Sequence, residues 1–371
     1  MPEVADVFRR YGGEYLEWFG QDLLPSHRRA MNDIMNCRTE ALGGHLLQCD
    51  HCGQEHYTYH SCRNRSCPKC HHQDTEAWLA ERRQELLPVP YFHVVFTLPQ
   101  ELRQLVRQNQ KDLYDILIRA AAQSLITLAA DPHDVGGLIG VLCVLHTWTR
   151  ALAYHPHVHC LVPAGGVSAD HQQWRPARQT YLVPVRALSK MLRGRFYALV
   201  HQERPDLNLP ESVWTTDWVV YCKPTVQGTE KVLDYLGRYV HRIALTNSRI
   251  LSIDDGQVYF RYADSRTHRW KTLALPAQEF IRRFLQHVLP LGFHKVRYYG
   301  LWSPTHRSLL HRLQLCLAGH EPPAPLASPD QARQPPACEY SPPQAGQHCR
   351  HCGQGLLVVI RLLPRHQTGP P

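Results

Sequence analysis

The sequence predicts an α+β fold, because helix-like and strand-like segments both occur and two of the strands lie close enough in sequence to pair as a hairpin. Residues 91–97 are a run of β-branched and aromatic residues, which is typical of a buried strand. Residues 138–146 and 158–163 are two more predicted strands, and strands this close in sequence pair most simply as a hairpin. Residues 102–129 carry apolar side chains at helical spacing, which predicts an amphipathic helix pair.

The same periodicities predict the other elements in chain order. The predicted helices are 4–38 (one or two helices), 78–86, 187–200 and 230–243, and the predicted strands are 214–221 and 257–262. Residues 317–347 contain eight prolines in 31 positions, a composition typical of a linker. A chain of 371 residues is long enough for about two to three domains.

The net charge and the number of cysteines indicate what kind of partner the protein binds and what its cysteines do. The net charge of +9, with 25 histidines in addition, favours a polyanionic partner such as nucleic acid, although charge for solubility alone is the alternative. Residues 136–145 are the longest nearly uncharged apolar run, half of the roughly 20 residues that span a membrane. We therefore expect a cytoplasmic protein with no membrane partner. Thirteen cysteines then indicate metal binding or catalysis rather than disulfides.

The densest cysteine segment predicts a structural zinc site. Two CxxC pairs can complete one tetrahedral site, and a fifth cysteine is either an extra thiol or part of a second site with nearby histidines; the five are Cys49, Cys52, Cys62, Cys67 and Cys70. Reduced buried cysteines or a catalytic thiol are the alternatives. Positive charge lies directly on this segment, at Arg63, Arg65 and Lys69, which favours contact with nucleic acid.

The tail holds a second cysteine group. Cys338, Cys349 and Cys352 predict a small zinc knuckle whose fourth ligand comes from a neighbouring histidine or from Cys316. A tail with unligated thiols is equally compatible with the spacing.

Two further patterns are candidates for a catalytic site, and the first of them is a pair of histidines. His157 and His159 lie two apart in a predicted strand, so both imidazoles can reach one divalent cation. Across the hairpin, His146 is the first candidate for a third ligand and His155 the second, although two surface histidines are as compatible with the pattern.

Tyr235 and Tyr239 stack on one face of a predicted helix. Core packing is the alternative for this pair, but basic residues that can hold phosphates and favour a phenolate lie close by: Lys231, Arg238 and Arg242.

These residues carry a resemblance to a known family. The chain resembles the two-tyrosine rolling-circle transposases of bacterial insertion sequences (the insertion-sequence-ninety-one type), members of the HUH endonuclease superfamily. The matching pieces lie in the family's order, between about residues 10 and 315: 61–70, 92–99, 146–148, 155–159, 235–242 and 279–290.

The resemblance implies an HUH endonuclease-like fold, an antiparallel sheet flanked by helices with the histidines on a central strand. It implies that Mg²⁺ or Mn²⁺ binds the histidines and that Tyr235 or Tyr239 cleaves single-stranded DNA at transposon ends and target, leaving a 5′-phosphotyrosine. It leaves the third metal ligand and homo-oligomer formation open. The alternatives are a rolling-circle replication initiator, a hydrolytic nuclease and a non-catalytic zinc-dependent DNA-binding protein.

The expected domains follow from the resemblance and the composition. They are an N-terminal helical, zinc-binding DNA-recognition domain (1–87), a catalytic transposase domain (88–315), a proline-rich linker (316–347) and a short cysteine-bearing tail (348–371).

Overall fold

Helices and antiparallel strands make up the computed structural model, which describes residues 1–70, 79, 81–225, 243–264, 267, 269–318 and 343–365. The α+β prediction is therefore confirmed. The helices of four or more residues are α1 Val4–Phe19, α2 Pro25–Asn36, α3 Arg103–Gln108, α4 Gln110–Ala129, α5 Val185–Glu203, α6 Ser212–Thr215, α7 Ala277–Leu285 and α8 Arg307–Leu317. The strands are β1 Gly44–Cys49, β2 Glu55–Tyr59, β3 Tyr91–Thr97, β4 Gly140–Trp148, β5 Tyr154–Pro163, β6 Gly165–Val167, β7 Trp174–Pro176, β8 Val220–Pro224, β9 Ile250–Asp254, β10 Gln257–Ala263, β11 Trp270–Pro276, β12 Val296–Gly300 and β13 Leu357–Leu363.

The central sheet has the strand order β12-β4-β5-β3-β8, with every neighbouring pair antiparallel. Strands β4 and β5 form the predicted hairpin, and their register shifts between His146 and Trp148. One face of the sheet is buried under α4 and α5, where Val94, Phe96 and Val158 belong to the main core. Each such side chain contributes about 1.5–3 kcal/mol to folding, so this face fixes the strand register.

The opposite face of the sheet is divided along its length. At one end Tyr91, Leu142 and Leu161 pack with Trp302 and with α8 in a smaller core. Because side chains alternate along a strand, His157 and His159 lie on the same face as Leu161, nearer the other end of β5. The sheet therefore presents these histidines on the face opposite the main core.

Residues 214–221 are the sequence prediction that the structure corrects most clearly. A short helix, α6, occupies the first part of this range, and the strand begins only at Val220. The backbone N–H groups of Val213 and Trp214 bond to the carbonyls of Pro210 and Glu211. This local turn outweighs the strand propensity of tryptophan and threonine.

The chain divides into two compact units that interleave in sequence. The first unit comprises residues 1–72, 243–288 and 332–371, and the second comprises 73–242 and 289–331. In the first unit, the ring of Phe8 meets that of Phe284 at 5.4 Å, and β13 pairs with β1. The second unit shares residues 88–242 and 289–315 with the expected 88–315 domain, whose boundaries stay a prediction.

Residues 230–243, predicted as helical, lie almost entirely outside the described residues. Among the helices that are described, none combines the length and the apolar character needed to cross a membrane.

Candidate functional site

Three histidines of the central sheet form one group, here called the histidine cluster: His146, His157 and His159. His146 on β4 is paired directly with His157 on β5, and one ring nitrogen of each of the three lies within 4.8 Å of the others. The hairpin thus brings the first candidate for the third ligand beside the His-x-His pair. Among the residues that the structure describes, the cluster consists of imidazoles and includes no carboxylate.

Hydrogen bonds determine which nitrogens of this cluster can bind a cation. His157 Nδ1 lies 2.7 Å from the carbonyl oxygen of His155. A carbonyl only accepts, so Nδ1 carries the proton and the lone pair of His157 is on Nε2. An imidazole fixed in this tautomer by its backbone partner is a typical metal ligand.

His93 on β3 holds His159 in place and was missed as a site residue in the sequence. Its Nε2 lies 2.8 Å from His159 Nδ1, and the two rings are stacked. Burial, together with nearby His157, lowers the pKa of His93 to about 3, so its imidazole is neutral and can accept a hydrogen bond. Its position in a strand next to the His-x-His strand was the only indication in the sequence.

His155, the second candidate for the third ligand, lies outside the histidine cluster. Its Nδ1 is 2.8 Å from Arg103 Nη2, and since a guanidinium only donates, this nitrogen accepts. Burial and the charge of Arg103 lower the pKa of His155. The arginine therefore occupies one nitrogen of His155.

Two groups of four cysteines lie in the first unit, and they correct the predicted zinc site. The first cysteine cluster is Cys37, Cys62, Cys67 and Cys70, and the second cysteine cluster is Cys49, Cys52, Cys349 and Cys352. The two CxxC pairs near the N-terminus therefore belong to different groups instead of completing one site. Chain length between the pairs gave no information on which pairs meet.

The first cysteine cluster follows helix α2. Cys37 Sγ lies 3.4 Å from Cys70 Sγ, and Cys62 Sγ lies 3.5 Å from it. Hydrogen bonds among these thiols lower the pKa of Cys70 and raise the pKa of Cys62 and Cys67, so Cys70 loses its proton more readily than those two thiols do. Cys62 is thus a member of this group, and Cys37, a lone cysteine without CxxC spacing, completes it.

The second cysteine cluster also corrects the prediction for the tail. Cys349 and Cys352 meet Cys49 and Cys52, whereas Cys316 is exposed on α8. Cys338 lies outside the described residues. His56 is close, with its Nε2 at 3.7 Å from Cys349 Sγ, but within the described part of the chain neither cysteine cluster includes a histidine.

The basic residues predicted to contact DNA differ in their surroundings. Arg63 and Arg65 are exposed beside the first cysteine cluster. Lys69 Nζ instead lies 2.6 Å from the carboxylate of Glu3, the residue that precedes α1, so its charge is already paired. The other predicted residues lie outside the described part of the chain: Tyr235, Tyr239, Lys231, Arg238 and Arg242.

Comparison with known proteins gives matches over both units. A family model described as "Transposase zinc-binding domain" matches residues 7–98, and one described as "Putative transposase" matches residues 140–309. "Putative transposase y4qJ" of Sinorhizobium fredii is 42% identical over all of this chain and 97% of its own length. "Transposase for insertion sequence element IS801" of Pseudomonas savastanoi pv. phaseolicola is 29% identical over 72% of this chain and 68% of its own length. No solved structure matches the chain.

The fold and the cysteine clusters define an α+β protein with a zinc-binding domain, and its histidine cluster is a further group that could hold a metal ion. The matches to family models and relatives identify the family: the chain belongs to the transposases of the insertion-sequence-ninety-one type, which carry an N-terminal zinc-binding domain. DNA is therefore its partner.

Proposed function

We propose that this transposase cleaves and rejoins single-stranded DNA by tyrosine transesterification, in rolling-circle transposition of an insertion sequence. The observation that supports this most is the convergence of His146 with His157 and His159 inside the segment that matches the transposase family. A His-x-His pair on a central antiparallel strand is what the HUH resemblance led us to expect.

The residues of the histidine cluster fit a divalent cation. Their nitrogens are close enough to share one ion, and the hydrogen bond of His157 fixes its Nε2 as the ligand atom. Mg²⁺ or Mn²⁺ bound there would polarise a scissile phosphate. The three ligands found among the described residues are imidazoles, and Mg²⁺ prefers oxygen ligands, so Mn²⁺ suits the cluster better than Mg²⁺ does.

Tyr235 and Tyr239 are the proposed nucleophiles, on the strength of the family resemblance and of their position within the matched residues 140–309. The phenol oxygen forms a bond to phosphorus while the bond from phosphorus to the 3′ oxygen breaks, and the phenol's proton ends on that oxygen. The product is a 5′-phosphotyrosine and a free 3′-hydroxyl. Attack by a 3′-hydroxyl reverses these steps, so rejoining needs no nucleotide cofactor.

The proposed DNA contacts lie in two parts of the chain. Arg63 and Arg65 would hold phosphates beside the first cysteine cluster. Next to the tyrosines, the same role falls to Lys231, Arg238 and Arg242. Because Lys69 is paired with Glu3, we expect it to contribute less to phosphate binding than Arg63 does.

Strand joining tests this function. The protein is incubated with Mn²⁺, a single-stranded oligonucleotide spanning an element end, and a labelled acceptor strand that has a free 3′-hydroxyl, without ATP. We expect a joined product that is longer than the acceptor. A hydrolytic nuclease gives cut strands but no joined product, and a non-catalytic DNA-binding protein gives neither; each result would refute the proposal.

A further inference from the structure

The two CxxC segments of the second cysteine cluster are near-copies of each other. Residues 49–54 read Cys-Asp-His-Cys-Gly-Gln, and residues 349–354 read Cys-Arg-His-Cys-Gly-Gln. Their backbones match as well: the N–H of Gly53 bonds to the carbonyl of Cys49 at 3.0 Å, and that of Gly353 to the carbonyl of Cys349 at 2.8 Å. Both glycines have φ near +70°, a conformation that favours glycine. The chain thus contains the same CxxCG turn twice.

The four sulfurs have the spacing of a tetrahedral metal site. Cys49 Sγ lies 3.7 Å from Cys352 Sγ, and Cys52 Sγ lies 3.8 Å from Cys349 Sγ. A tetrahedron with Zn–S bonds of about 2.3 Å has sulfur–sulfur edges of about 3.8 Å. A disulfide would need about 2.05 Å. Both of these contacts join one turn to the other, as expected when the two turns face each other across an ion.

The surrounding backbone holds the two turns together. Strand β13 pairs with β1 so that Leu357 lies opposite Cys49, and the N–H of Asp50 bonds to the carbonyl of Leu356 at 3.0 Å. Gly355 lies so close to the first turn that a Cβ atom there would be 2.4 Å from Cys49 Sγ. Such tight packing on the sulfur shows that the tail is fitted to this turn.

We propose that Cys49, Cys52, Cys349 and Cys352 bind a second structural zinc ion, with two ligands from each end of the chain. The zinc-binding family match spans residues 7–98, so the two tail ligands lie far outside it. Four thiolates leave no open coordination position, so the site is structural rather than catalytic. The tail is therefore an integral part of the zinc-binding unit, and the ion anchors it beyond the linker.

Zinc stoichiometry of purified variants tests whether the two pairs share one ion. The double variants Cys49→Ser/Cys52→Ser and Cys349→Ser/Cys352→Ser should each bind one zinc fewer than the wild type. The quadruple variant should also bind only one fewer. A tail variant with unchanged zinc content, or a quadruple variant that loses two ions relative to the wild type, would overturn the proposal.

A second measurement uses the unaltered protein, so it does not depend on how the variants fold. The zinc-loaded chain is treated with increasing chelator, each sample is alkylated, and every cysteine is quantified by mass spectrometry. The four cysteines should become reactive together, while exposed Cys316 reacts at every chelator concentration. Alkylation of Cys349 and Cys352 without chelator, with Cys49 and Cys52 still protected, would contradict a shared ion.

Discussion

Cys52 Sγ and Cys349 Sγ lie 3.8 Å apart, although 297 residues separate the two cysteines in the chain. The two segments around these cysteines also pair as strands, because β13 adds to the sheet formed by β1 and β2. The first unit, which contains both cysteine clusters, is therefore assembled from segments that lie before and after residues 73–242 in the chain.

Substitution of Gly355 by alanine should weaken zinc binding by the second cysteine cluster. The added methyl group would meet Cys49 Sγ at 2.4 Å and Asp50 Oδ1 at 2.6 Å, so the turn must shift, at a cost of about 1–3 kcal/mol. We expect the second cysteine cluster to release zinc at a lower chelator concentration. Gly13→Ala is the control, because a Cβ there meets nothing within 4 Å. An unchanged release midpoint for Gly355→Ala would contradict the tight packing.

Arg63 and Lys69 should differ in their effect on DNA binding. If Arg63 holds a phosphate, Arg63→Ala should reduce the slope of log K against log salt by about 1. Lys69→Ala should leave the slope unchanged and alter the free energy of unfolding by no more than about 1 kcal/mol, since Lys69 pairs with Glu3 near the surface. Binding titrations at several salt concentrations measure both. If the slope falls equally in the two variants, Lys69 contacts a phosphate as Arg63 does.

Two histidines of β5 should differ in their importance for catalysis: cleavage should depend on His157 and should depend little on His155. His157→Ala removes a proposed metal ligand and should reduce cleavage by about 100-fold or more while DNA binding stays intact. His155→Ala, two residues away and outside the histidine cluster, is the matched control and should keep most of the activity. Cleavage of a labelled single strand in Mn²⁺ checks both. Equal losses in the two variants would argue against the assigned ligands.

His93 is expected to act as a positioning residue through its hydrogen bond to His159. His93→Ala should raise the Mn²⁺ concentration needed for half-maximal cleavage by about 10–100-fold, as is typical when the hydrogen-bond partner of a ligand is lost. Saturating Mn²⁺ should restore the maximal rate. A lower maximal rate with unchanged Mn²⁺ dependence would show that His93 acts in another way.

The sequence predicted the strands around the histidine cluster well, for a physical reason. Residues 91–97 are buried on one face by the main core, so their β-branched and aromatic side chains are dictated by the sheet itself. The short connection between the two later strands left a hairpin as the simplest pairing, and that hairpin places His146 beside His157. The local sequence was therefore sufficient to predict the strands and the hairpin that bring the histidine cluster together.

The cysteine partners could not be obtained in the same way. Spacing within a CxxC pair reports only a tight turn, and it does not specify which other turn completes the site. Cys37 has no neighbouring cysteine, so nothing local marked it as a member of the first cysteine cluster. The near-identical hexapeptides at 49–54 and 349–354 were the one available indication that the chain ends meet.

The most direct test of the account is the search for a covalent protein–DNA adduct. Single-stranded oligonucleotides spanning an element end, labelled on either side of the cut, are incubated with Mn²⁺ and separated on a denaturing protein gel. Wild type is compared with Tyr235→Phe, Tyr239→Phe, the double variant and Tyr221→Phe. Tyr221 is the control, a half-exposed tyrosine on β8 whose ring lies 6.1 Å from that of His93.

We predict an adduct that retains the label 3′ of the cut, is absent from the double variant and persists in Tyr221→Phe. An adduct that survives in the double variant, or cleavage by the wild type without any adduct, would contradict transesterification by Tyr235 and Tyr239.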